Sequence, residues 1–396
     1  MVIAEGDAGY YLGNDASATK EYLTLAKNHG VDVILTAGNL ADYLRGEANA
    51  KSASEVKQEL AAMISDLGSY ENFKGIQMAD EISADAVNRR NEIREFVRGT
   101  LGRDDLLTFT NMGYHDSATT QSLVQNIGAV DGVYEYGYYP FQKERVKRIF
   151  QTSGEWKNTF AQEKWFSLLS ETATYAKDSR VPQLGLTIQS CGYLHPVSVN
   201  DPSRRDIVRK ADIGFQVYTA LAYGVKSLNY FSYWEHYTQS TNEYFTSAMV
   251  LYGENGEVSK TTPTYDYVKE VNDELKKMDH VLLDYEWKGT INVGSTSGVG
   301  SSYTAASNSR IDSIANTSGQ AVVGCMKDSE GFDGYMIANT GNPENGAVTT
   351  GTITFNNATR AIVYVKGEPQ NVDLVNGSYT WQIGLGDGVF IIPLVK

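Results

Sequence analysis

Cysteine, histidine, proline and basic clusters are all scarce in this chain, and most of these scarcities close off a class of function. Two cysteines in 396 residues, Cys191 and Cys325, fall in different expected domains and read as separate thiols rather than a bridge. The five histidines show no H-E-x-x-H or comparable spacing, so no zinc or other metal site is expected. No Lys/Arg run offsets the net charge of −14, and a polyanion would be repelled, so nucleic acid is not an expected partner. No apolar stretch approaches the ~18 residues of a membrane span. The opening Met1-Val2-Ile3-Ala4-Glu5 has neither a basic start nor a long apolar core, so no signal peptide is visible. A G-x-S-x-G elbow, a dinucleotide glycine fingerprint and a phosphate loop are also missing, so no cofactor is expected. No obligate protein partner is evident. Carboxylates remain as the chemistry-bearing groups.

Tyrosine, by contrast, is abundant: 26 residues against 13 Phe and 5 Trp. Its flat face and hydroxyl suit sugar binding, although core filling and strand propensity are the default reasons for it.

Along the first two-thirds, apolar strands alternate with amphipathic helices. A helix over Ala18–His29, stopped by Gly30, leads into a strand over Val31–Ala37,. Strands follow over 75–81, 106–111 and 132–140, the last reading Gly132-Val133-Tyr134-Glu135-Tyr136-Gly137-Tyr138-Tyr139-Pro140. Helices over 164–177 and 206–223 precede strands over 184–189 and 227–234, and 262–278 reads as a last helix. Such alternation implies crossover connections and a parallel sheet. With a strand in the first dozen residues the count is seven where a closed barrel needs eight; the eighth is expected upstream of Met1 or hidden in the opening residues. From about Tyr285 the texture changes to short strands parted by Asn345-Gly346, Asn376-Gly377 and Gly386-Asp387-Gly388, a β-sandwich pattern. The expected fold is therefore α/β: a TIM-type (β/α)8 barrel over 1–284, then an all-β sandwich over 285–396.

The segment Lys74-Gly75-Ile76-Gln77-Met78-Ala79-Asp80-Glu81 is an apolar run ending in two adjacent carboxylates, with a helix expected over 85–98. In a β/α barrel the loops at the carboxyl ends of the strands carry the chemistry. An acid held there with a raised pKa protonates a leaving sugar oxygen. The local alternative is that Asp80 or Ser83 caps the following helix.

This strand series resembles the β/α-barrel glycoside hydrolases of the family 5 and family 42 clan, in particular bacterial members with a C-terminal β-sandwich. The 31–37 strand resembles their third and Gln77-Met78-Ala79-Asp80-Glu81 their fourth, which ends in the acid/base Glu. Glu135–Pro140 resembles the aromatic sixth strand. Tyr230–Trp234 resembles the eighth, whose Trp floors the sugar site. The segments Gln216–Gly224 and Asn229–Trp234 strengthen the likeness. It implies that Glu81 is general acid/base and that Tyr139 and Trp234 face a sugar.

One departure bears on mechanism. The clan's seventh strand ends in a nucleophilic Glu, where this chain reads Leu186-Thr187-Ile188-Gln189-Ser190. An amide cannot form the glycosyl ester. Three readings stay open. Glu135, sharing a strand face with Gly137 and Tyr139, supplies the second carboxylate. Or Asp80 and Glu81 act as the Asp-Glu pair of substrate-assisted N-acetylhexosaminidases. Or Gln189 is an engineered trap.

Asn39, Asn111 and Tyr114 lie at or just past strand ends and are candidates to bind sugar hydroxyls, each equally plausible as a turn or cap residue. Gln189 and Glu235 complete the candidate substrate-binding set. The expectation is a secreted, periplasmic or cell-surface glycoside hydrolase acting on a carbohydrate. Its rival is a non-catalytic carbohydrate-binding protein on a barrel that lost its nucleophile.

Overall fold

In the computed structural model, the described residues are 2–4, 15–36, 38–79, 82–83, 85–112, 121, 133–136, 162–178, 184–194, 208–238, 243–246, 248–252 and 257–395. The chain forms two compact units, Met1–Tyr136 with Thr174–Gly185, and Gly137–Ala173 with Leu186–Lys396.

The first unit is built on parallel strands in chain order: β1 (Val2–Ala4), β2 (Val33–Thr36), β3 (Phe73–Ala79), β4 (Leu107–Met112) and β5 (Val133–Tyr136). Helices α1 (Ala16–Asn28), α2 (Gly38–Arg45), α3 (Ala53–Leu67) and α4 (Ala86–Glu95) connect them. Local chemistry sets the helix ends. Asp15 accepts from Ser17 N at 2.7 Å to start α1, and Gly30, at φ +67°, ends it in the left-handed region as expected. Ser52 and Glu55 close a capping box on α3, with Ser52 N donating to Glu55 Oε2 at 2.9 Å,. Strands β2 and β3 are buried almost throughout, which is what a parallel sheet covered on both faces requires. Arg90 of α4 is buried and donates to the Thr108 carbonyl at 3.1 Å and to Thr110 Oγ1 at 3.3 Å, tying the helix to β4.

The division between the units falls inside α5 (Gln162–Asp178) and β6 (Leu184–Gln189). In the second unit β6 neighbours β8 (Ser227–Phe231), while β7 (Gly192–Leu194), β9 (His236–Thr238) and β10 (Glu243–Thr246) make a small antiparallel sheet. A hairpin pairs β11 (Val250–Tyr252) with β12 (Val258–Thr261). Helix α6 (Lys210–Ala222) lies between β7 and β8 in the chain, and α7 (Pro263–Lys276) and α8 (Asp279–Leu282) follow the hairpin.

Helix α6 is buried on every side from Asp212 to Ala222, so each of its polar side chains needs a partner inside the protein. Asp212 meets Arg209, Tyr218 donates to Glu274 Oε2 at 2.6 Å, and Thr219 accepts from the Trp165 indole at 3.0 Å. Two glycines admit its backbone to the neighbouring sheet: a Cβ at Gly214 would strike the Gly386 carbonyl, and one at Gly324 the Ala222 carbonyl.

Residues 286–395 are strands without an α-helix. The larger antiparallel sheet runs β13 (Glu286–Val293), β15 (Ala321–Lys327), β16 (Asp333–Asn339), β21 (Gly388–Val395), β18 (Ala358–Val365) and β19 (Glu368–Asp373). The smaller comprises β14 (Ile311–Ser318), β17 (Thr349–Phe355) and β20 (Ser378–Ile383). Along β17 burial alternates, placing Gly351, Ile353 and Phe355 inward,. Both sheets contribute to one apolar cluster, in which Tyr335 of β16 meets Phe355 of β17 at 5.1 Å between ring centroids.

Seven strands of the helix-alternating series are present among the described residues, β1 at Val2–Ala4 included. The sequence reading passed over α2 and α3, the short strands between 192 and 261, and β13, β14, β19 and β20. Cys191 and Cys325 are both buried and form no disulfide, and both lie in the second unit. No helix among the described residues is long and apolar enough to cross a membrane.

Candidate functional site

Parallel strands end together, so the carboxyl edge of the first unit's parallel strands is where its candidate groups collect. In the first unit Thr36 of β2 pairs with Gln77 of β3, Ala79 of β3 with Thr110 of β4, and Met112 of β4 with Glu135 of β5. Glu135 and Asn111 are thus placed by their backbones near this edge. Asp80 and Glu81, which follow Ala79 directly, lie outside the described residues, as do Tyr114 and Tyr139. Helix α4 begins with Asp85 at its N-cap, and neither Asp85 nor Ser83 makes the side-chain capping bond; Ser83 offers its backbone carbonyl to Ala86 N at 3.0 Å. The capping role considered for Ser83 is therefore not the one found. Asn39 sits in the first turn of α2 and donates to Glu59 Oε2 on α3 at 3.2 Å.

The second unit places its candidates in full side-chain detail. Gln189, the last residue of β6, is buried and held from three directions. Its backbone N–H donates to Gln216 Oε1 at 2.8 Å, its carbonyl accepts from Gln216 Nε2 at 3.1 Å, and its own Nε2 donates to the Cys191 carbonyl at 2.9 Å. Gln216 of α6 thus pairs with the strand end as another strand would. That leaves Gln189 Oε1 and, two residues earlier, Thr187 Oγ1 buried without a protein partner. Buried polar groups without partners are rare, and they concentrate where a ligand or chemistry uses them.

Strand β8 ends beside this point. Ser190 N donates to the Phe231 carbonyl at 2.7 Å, and Ser232 Oγ donates to the Trp234 carbonyl at 2.7 Å. Val250 N donates to the Tyr233 carbonyl at 2.9 Å and Glu235 N to the Val250 carbonyl at 3.4 Å. The Tyr233–Glu235 segment is in this way fastened to the β11–β12 hairpin. Trp234 is 37% exposed and Tyr233 45%, so Trp234 is a surface ring and not a core filler. Glu235 is half-buried beside it. Burial raises the Tyr230 hydroxyl well above its usual range, and the group donates to Asn272 Oδ1 at 2.7 Å. Among the described residues no group of His, Cys, Asp and Glu could hold a metal ion.

Sequence reasoning missed Gln216 and Tyr252. The Gln216–Gln189 bonds bridge 27 positions, and a three-residue strand such as β11 is too short to show a period.

Among solved structures the chain is similar to α-galactosidase I from Mortierella vinacea, at 9% identity and a TM-score of 0.53, covering 100% of this chain and 87% of that one. It is similar to a β-galactosidase from the psychrophilic Marinomonas ef1 at 10% identity and TM-score 0.43, covering 71% of this chain and 57% of that chain. It also resembles a β-glucuronidase from an uncultured Clostridium sp., at 11% identity and TM-score 0.42, covering 67% and 43% respectively. The chain therefore spans about half the length of the last two. No protein-family model and no curated protein matches it. The chain shares its fold with that α-galactosidase.

Proposed function

We propose that this chain is a glycoside hydrolase that cleaves an O-glycosidic bond of an oligo- or polysaccharide, with Glu81 as general acid/base. The observation that carries the reading is the end of β3 at Ala79. Asp80-Glu81 follow Ala79 directly in the sequence, and β/α architectures keep their reacting groups at the carboxyl edge of their parallel strands, which supports the reading. The fold shared with an enzyme named α-galactosidase supports it. So do the unpartnered buried polar atoms at the end of β6. In this reading the architecture is a barrel followed by a β-sandwich. The Glu81 carboxyl protonates the departing sugar oxygen, and Glu135, on β5 with β4 between it and β3, supplies the second carboxylate, as nucleophile or as the base that activates water.

A second reading draws on Gln189. Its Nε2 is committed to the Cys191 carbonyl, so the position where related enzymes carry a nucleophile serves a structural bond, as a sugar-binding protein without catalysis would tolerate.

A panel of 4-nitrophenyl glycosides separates the two. The hydrolase reading expects release of nitrophenol from at least one glycoside of the panel. Turnover confined to N-acetylhexosaminides would reassign Asp80-Glu81 to substrate assistance, and no turnover of any member together with no release of reducing ends from neutral oligo- and polysaccharides would leave only the binding protein.

A further inference from the structure

Four of the large apolar side chains exposed among the described residues fall between positions 233 and 258: Tyr233, Trp234, Tyr252 and Val258. They form one patch. Trp234 meets Tyr233 edge-on, 6.5 Å between centroids at 84°, and meets Tyr252 at 6.1 Å and 51°. Tyr252 of β11 faces Val258 of β12 across the hairpin. Both tyrosine rings are thus steeply inclined to Trp234, so the three make an angled corner rather than a flat apolar plate. Its position is fixed from below: Val250 binds the Tyr233 carbonyl, and Thr262 binds the Met249 and Ala248 carbonyls at 2.9 and 2.5 Å.

Tyr233 and Tyr252 carry phenolic hydroxyls on the two rings that meet Trp234. Aromatic faces beside phenolic hydroxyls match a pyranose, whose C–H face is apolar and whose edge is hydroxylated. A net charge of −14 disfavours an acidic glycan and leaves a neutral one.

We propose that Tyr233, Trp234 and Tyr252 form a binding corner for a neutral glycan chain, in which Tyr252 and the β11–β12 hairpin add a sugar position beyond the one at Trp234. The natural ligand is then an oligomer of at least two sugars rather than a single glycoside. This rests on the glycosidase reading for its ligand class, but not on any catalytic residue.

The test is affinity electrophoresis of the full chain in native gels cast with galactomannan, xyloglucan, arabinan or mixed-linkage β-glucan, with polygalacturonate as the acidic control. Retardation is expected in at least one neutral gel and not in polygalacturonate. Tyr252→Ala should weaken the apparent affinity by about fivefold and Trp234→Ala by about tenfold or more, while Tyr252→Phe stays within about twofold of wild type. Unchanged circular dichroism would establish that the variants fold. No retardation in any neutral gel, or retardation that Tyr252→Ala leaves intact, overturns the proposal. So does a wild-type dimer that Tyr252→Ala turns into monomer, since the rings would then be a self-interface. Turnover of nitrophenyl glycosides without polysaccharide binding would sink the corner and spare the glycosidase. Ring-dependent binding without turnover would do the reverse.

Discussion

The strands of the helix-alternating series and the antiparallel sheets of residues 286–395 both bury polar side chains, but they partner them to different degrees. The antiparallel sheets close over aliphatic and aromatic side chains such as Ile337, Ile353, Phe355 and Trp381. Only one side-chain atom there, the Trp381 indole nitrogen, is buried without a partner. The helix-alternating strands bury Gln77, Thr108, Thr110, Thr187 and Gln189, and three of these five leave an oxygen unmatched by any protein donor. Desolvating such an oxygen costs about 1–3 kcal/mol. A fold keeps that cost where something other than stability is selected. The unmatched oxygens thus collect in the strands of the helix-alternating series.

The largest effect that sharpens this contrast is in the antiparallel core. Phe355→Ala removes the ring that meets Tyr335 between the two sheets and should lower unfolding stability by about 3–5 kcal/mol, read from urea denaturation, with residues 286–395 most affected in hydrogen exchange. A loss under 1 kcal/mol would mean that the sheets do not depend on each other.

Gln189→Glu comes next. The amide donates to the Cys191 carbonyl; a carboxylate would face that oxygen with charge and no proton. A loss of about 1–3 kcal/mol is expected near neutral pH. Such a carboxyl is held protonated by its surroundings, so its folded-state pKa lies above the unfolded value of about 4.3. The variant is therefore nearest to wild type below pH ~4 and falls behind as pH rises toward the folded value. Thermal melts across that range check the sign. A gain of glycoside turnover would contradict this account and mark the chain as a retaining enzyme lacking its nucleophile.

Thr187→Val has the smallest stability effect and the sharpest meaning. Its hydroxyl is buried without a partner, so the near-isosteric valine should be neutral or stabilise by up to about 1 kcal/mol. Unchanged stability with weakened glycan affinity would locate a ligand at the β6 end. A clear destabilisation would show that the hydroxyl has a structural use.

Much of the architecture was legible in the sequence because long elements carry their period. The strands at 73–79 and 184–189 and the helices at 162–178 and 263–276 announce themselves by apolar spacing and caps. Thr262 with Pro263 marks the start of α7,. Other elements were silent for physical reasons. Strand β19 reads Glu-Pro-Gln-Asn-Val-Asp and is almost wholly exposed; an edge strand needs no apolar face and tolerates proline. Helix α3 was legible and overlooked, since Ser52 and Glu55 spell a capping box. At the candidate site, Gln189 and Trp234 were singled out by the resemblance of their strands to the clan's seventh and eighth, but the clamp from Gln216 and the ring of Tyr252 come from contacts between segments far apart in the chain. No local pattern encodes those.

The account stands or falls on Glu81, and the most direct measurement is kcat/KM of wild type and Glu81→Gln on glycosides of graded leaving-group acidity. General acid catalysis predicts a loss of about 10²-fold or more for alkyl or sugar leaving groups, shrinking toward wild type for 2,4-dinitrophenol, which departs without a proton. An equal loss across the series, or none, would mean that Glu81 does not deliver the proton.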